Sequence, residues 1–147
     1  MQPCVAWLVA VGVGIWLLTL ACIDLRSLRI PDMMSLPLLA VGLSLAWIGG
    51  LTTFADHLIG AGVGFLVLAL FGEIFFRLRG REGLGLGDAK LFGAAGAWLG
   101  WQALPLVLLV AAVGGLVWAL AQRQREIAFG PWLALGFWLV LISGAQF

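Results

Sequence analysis

A chain of 147 residues that is 63% hydrophobic and 10% charged carries too little charge for a soluble domain, where charged residues make up about a quarter. With a mean hydropathy of +1.13, this composition excludes the soluble globular class and predicts an all-α polytopic membrane protein. The formal net charge of +1 gives no ground for a nucleic-acid partner, and Cys4 and Cys22 form no CxxC pair, so neither metal nor disulfide chemistry is expected.

Both cysteines read as small buried apolar residues. The start, Met1-Gln2-Pro3-Cys4, has no basic residue before the first apolar run, which argues against a cleaved signal peptide. Apolar runs of roughly 17–25 residues read as spanning helices, and six are predicted. They cover about 5–23, 33–51, 57–76, 89–104, 105–121 and 127–144. The division between the fourth and fifth rests on Gln102 and Pro105, and one long kinked helix is the competing reading.

The charges orient these helices. The eight basic residues, Arg26, Arg29, Arg77, Arg79, Arg81, Lys90, Arg123 and Arg125, fall in or beside the first, third and fifth connections. The other connections carry only Asp56 and His57. Basic residues favour the cytoplasmic side, so both termini are predicted outside. Merging the fourth and fifth segments would move Arg123 and Arg125 to the opposite face, which favours six helices. Trp7, Trp47, Trp98 and Trp101 fall near predicted outer ends and Trp132 near an inner end, as an interfacial belt requires. Trp16, Trp118 and Trp138 lie deeper and read as packing. Gly60 with Gly64, and Gly96 with Gly100, have the four-residue spacing that lets helix backbones approach. Ordinary glycine content explains them equally well.

The acidic residues sort by position. Asp56 and His57 read as solvated outer-loop residues. Glu73 lies four before Arg77 and predicts an ion pair along the third helix. Glu82 and Glu126 read as solvated charge. Asp24, Asp32 and Asp88 remain, all at the predicted cytoplasmic boundary, where carboxylates are costly and so are functional candidates. Asp88 closes the stretch Gly83-Leu84-Gly85-Leu86-Gly87-Asp88 at an expected helix N-cap. Alternate glycines suggest a sharply bent backbone or one lying close to another chain. If the first and fourth helices pack together, Asp24 and Asp88 can share one proton and activate a water, as in aspartic proteases. That chemistry needs no metal or other cofactor.

At this point the motifs resemble a family. Asp24 followed by Ile30-Pro31-Asp32 is similar to the first signature of the type IV prepilin peptidases, the A24-type GxGD intramembrane aspartic proteases. Gly85-Leu86-Gly87-Asp88-Ala89-Lys90 resembles their second signature, and Phe129-Gly130-Pro131 their C-terminal block. The resemblance implies an aspartic endopeptidase of the bacterial inner membrane. It would remove the short basic leader of prepilins or pseudopilins at the cytoplasmic face. It implies Asp24 and Asp88 as the catalytic pair, and Asp32, Gly85, Gly87 and Lys90 as substrate-binding or accessory residues. Larger members carry an N-terminal CxxC region and N-methylate the new terminus. That region has no counterpart in this sequence, so methyl transfer is not expected. The motif positions put Asp24 at a helix C-terminus and Asp88 at a helix N-terminus, which assigns the shared proton to Asp24. Two rival readings are a small ion-coupled transporter and a non-catalytic membrane subunit of a pilus or secretion machine.

Overall fold

The computed structural model describes residues 3–27, 30–81, 83–123 and 128–144. Arg29, Glu82, Arg125 and Glu126, read above as connection charges, and the expected sixth-helix start at Ile127 lie outside them. The described chain is all-helical, with α1 (Pro3–Ser27), α2 (Asp32–Ile48), α3 (Leu51–Arg79), α4 (Leu86–Leu99), α5 (Leu104–Gln122) and α6 (Gly130–Ser143). Among the described residues, three stretches, Cys4–Ser27, Leu51–Arg79 and Trp101–Gln122, are long and apolar enough to cross a membrane.

The breaks fall where the backbone demands them. Pro31 is extended at ψ 133° and precedes α2. Gly80 takes φ 65° after α3 and donates to the Phe76 carbonyl at 2.8 Å, a left-handed cap that few other residues tolerate. Gly100 at φ 79° ends α4, and one 3₁₀ turn, Trp101–Ala103, separates it from α5. Helix α3 starts earlier than the sequence suggests, after Gly50 at φ 115°. Asp56 and His57 are therefore helical and half-buried, not solvated loop residues. His57 Nδ1 lies 2.8 Å from the Ala97 carbonyl, and Trp101 Nε1 donates to Asp56 at 3.2 Å. The outer-loop expectation failed because Leu51-Thr52-Thr53-Phe54 contains nothing that stops a helix.

The chain divides into two compact units, Met1–Leu28 with Leu106–Phe147, and Arg29–Pro105. In the first, α6 packs on α1. The Trp138 ring covers Gly14, and its Nε1 donates to the Ala10 carbonyl at 3.2 Å. Leu20, Leu133, Phe137 and Leu141 are fully buried. Gly136 lets α6 approach α5, since a methyl there would lie 2.7 Å from the Val107 carbonyl oxygen.

In the second unit α4 is the core, buried almost continuously from Ala89 to Trp98 between α2 and α3. The α3–α4 seam is a backbone contact. A methyl on Gly64 would lie 2.8 Å from the Phe92 carbonyl oxygen, and one on Gly96 would overlap the Gly60 carbonyl. Close helix approach therefore accounts for Gly60, Gly64 and Gly96, whereas Gly100 serves the turn. Trp98 departs from the interfacial expectation. It is buried over Gly42 and donates to the Leu38 carbonyl at 2.8 Å, while Trp7, Trp47 and Trp101 are exposed. Cys4 and Cys22 depart in the other direction and are exposed on α1. A helix that is apolar all round gives no sequence contrast between its packed face and its outer face.

Candidate active site

Asp24 lies in the last turn of α1, within a helix that runs four residues beyond the expected end at Ile23. Only 6% of it is exposed. A buried carboxylate needs a donor, and the Gly130 backbone N–H, the first of α6, supplies one. The C-terminal end of α1 and the N-terminal end of α6 thus oppose each other at Asp24.

Asp88 is the third residue of α4, not its N-cap, and is half-buried. The N-cap is Gly85, extended at φ −77° and ψ 154°, whose carbonyl accepts from the Asp88 N–H at 3.1 Å and the Ala89 N–H at 3.4 Å. The glycines before Asp88 serve different ends. A methyl on Gly83 would strike the Phe75 ring, and one on Gly87 would lie 2.9 Å from Ile30 Cβ. At Gly85 the nearest atom would be the Gly87 nitrogen, at 3.9 Å. Gly83 and Gly87 are thus required by contacts inside the chain, and Gly85 is open.

Asp32 and Lys90 meet. Lys90 Nζ donates to Asp32 Oδ1 at 2.6 Å, joining the first residue of α2 to the first turns of α4. Together with Ile30 packed on Gly87, this pair ties the two signature stretches within one unit. Asp32 thereby has a local partner. Glu73 and Arg77 form the expected pair at 2.8 Å, exposed along α3.

A model of the type IV leader peptidase family matches residues 11–120, three quarters of the chain and both aspartates. The chain belongs to the type IV leader peptidase family. Its curated relatives include the prepilin leader peptidase/N-methyltransferase of Aeromonas salmonicida, 42% identical over 135 residues that cover 87% of this chain and 46% of that protein. The protein of the same name from Escherichia coli K12 is 46% identical over 127 residues, covering 82% and 56%. That of Burkholderia pseudomallei is 41% identical over 152 aligned positions, covering 99% and 49%. The chain spans about half the length of these relatives. No solved structure matches it.

Within this leader peptidase family member, one contact escapes motif reading. Phe129-Gly130-Pro131 stands out in the sequence, but its bond to Asp24 uses a main-chain N–H, which residue identity does not report. The available signal is Pro131, which lacks an N–H and is favoured at a helix start.

Proposed function

We propose that this chain is a membrane aspartic endopeptidase that removes the leader peptide of prepilins or pseudopilins, with Asp24 and Asp88 as its catalytic pair. The observation that carries the reading is the family match across both aspartates. The names of the relatives supply the substrate class. In this reading one carboxyl is protonated and the other ionised. The ionised carboxyl takes a proton from water as the water oxygen attacks the scissile carbonyl. The protonated carboxyl gives its proton to the carbonyl oxygen. Collapse of the tetrahedral intermediate breaks the C–N bond and returns a proton to the leaving amine. Asp32, Lys90, Gly85 and Gly87 then shape and support the Asp88 side of the site.

The basic residues favour six spans with both termini outside and the site at the cytoplasmic face, because Arg26, Arg77, Arg79, Arg81, Lys90 and Arg123 cluster at alternate connections. Helices α4 and α6, with 14 residues each, are short for a span of roughly 30 Å. This suits a site that must admit water at one rim.

The test is cleavage of a prepilin by the purified chain in lipid nanodiscs, read by mass spectrometry of the product termini. Asp24→Asn and Asp88→Asn should each lower the rate by roughly 10²–10⁴-fold, the usual contribution of acid–base groups. Undiminished cleavage by either variant, or none by the native chain, would sink the proposal.

A further inference from the structure

We infer that Gly130 is a positioning residue for the proposed reaction, its backbone N–H fixing the Asp24 carboxylate from the start of α6. The inference rests on the catalytic reading of Asp24 and gives the Phe129-Gly130-Pro131 block its task. The first amides of a helix have no partner within it and must find one elsewhere. Here the first turn can be accounted for residue by residue. Pro131 has no N–H. Trp132 and Leu133 both donate to the Phe129 carbonyl, at 3.1 and 3.0 Å. Gly130 supplies the remaining amide, and it goes to Asp24.

Each member of the block thus has a part. Phe129 offers the carbonyl that closes the first turn, Gly130 provides the donor, and Pro131 removes a competing one. The donor is also well mounted. Gly130 is buried at the helix start, and α6 is locked to α1 further along by Trp138 on Gly14 and Ala10. A main-chain donor cannot rotate away as a side chain can. Asp24, 6% exposed, has little water to replace it.

The test replaces the amide and leaves the side chain. Glycolic acid incorporated at position 130 by suppression converts that N–H to an ester oxygen. Leucic acid at position 133 is the control, because it removes a helical N–H of the same turn that does not reach Asp24. Two readouts apply to the full chain in nanodiscs. In infrared difference spectra, the Asp24 carboxyl band, assigned by its loss in Asp24→Asn, should move in the 130 ester and hold in the 133 ester. In prepilin cleavage, the 130 ester should lower kcat at least about tenfold with KM unchanged, as expected for a lost bond to a charged group. The 133 ester should stay within about twofold. A band that holds in the 130 ester overturns the inference whatever the activity. Equal kcat losses in the two esters, or none, overturn it too. If the native chain cuts no prepilin, the proposed function falls while the infrared comparison still decides the contact.

Discussion

Lys90 Nζ sits 2.6 Å from Asp32 Oδ1, across 58 residues of sequence. The pair joins two motif residues whose neighbours, Ile30 and Gly87, also pack together. Its energetic weight is small, because the Asp32 side chain is 59% exposed and such pairs contribute about 0–1 kcal/mol after solvent screening. Asp32→Asn keeps an oxygen acceptor for Lys90. It should shift the thermal midpoint by at most a few degrees and leave prepilin cleavage within about threefold. Asp32→Lys sets two ammonium groups against each other and should slow cleavage more than it lowers the midpoint. Restoration by the exchange Asp32→Lys with Lys90→Asp, in the same cleavage assay, would identify the pair itself as the cause.

The α3–α4 seam predicts opposite outcomes for two glycines. Gly96→Ala drives a methyl into the Gly60 carbonyl, a backbone atom that cannot step aside. Overpacking of this kind costs about 1–3 kcal/mol. Gly62→Ala, on the same α3, meets nothing within 4 Å and should stabilise the helix by a few tenths to about 1 kcal/mol. Denaturant or thermal unfolding in detergent should rank the variants Gly62→Ala, native, Gly96→Ala. The reverse order would mean that α3 and α4 do not meet at Gly60 and Gly96.

Trp98 and Gly42 form a second such contact, between α4 and α2. A methyl on Gly42 would lie 2.6 Å from Trp98 Cδ1. Gly42→Ala alone should destabilise by about 1–3 kcal/mol. Trp98→Phe loses the indole donation to Leu38 and some packing, at a similar cost. The smaller ring leaves room for the methyl, so the double variant should be more stable than the two losses added together predict, by at least about 0.5 kcal/mol. Simple additivity in unfolding measurements would refute the contact.

These contacts show where sequence stops informing. Helix order was legible from the long apolar runs, but the stops at Gly80 and Gly100 were not, because glycine is also common inside apolar helices. The two motif aspartates were legible through their spacing from Ile30-Pro31-Asp32 and from the glycines. Which face each helix buries was not legible. Cys22 and Trp98 were assigned to the wrong environment because their helices are apolar on every side. The Asp32–Lys90 bond was hidden by its sequence separation. The Gly130 contact was hidden because every residue but proline carries the same N–H.

Gly85 offers the sharpest separation of fold from function. It precedes Asp88 by three residues, is exposed, and lies in extended backbone at φ −77°, where any residue fits. Among the described residues, the nearest atom to a methyl there would be the Gly87 nitrogen, at 3.9 Å. If an extended substrate segment runs along this backbone toward Asp88, that space belongs to the substrate. Gly85→Ala should then leave the thermal midpoint unchanged, raise KM for prepilin several-fold and alter kcat less. Gly87→Ala instead presses on Ile30 at 2.9 Å and should lower the midpoint as well as the rate. Steady-state cleavage combined with melting curves separates the two variants. A Gly85→Ala chain with native KM would show that the open position is not used by substrate, and that the extended segment approaches Asp88 from another side.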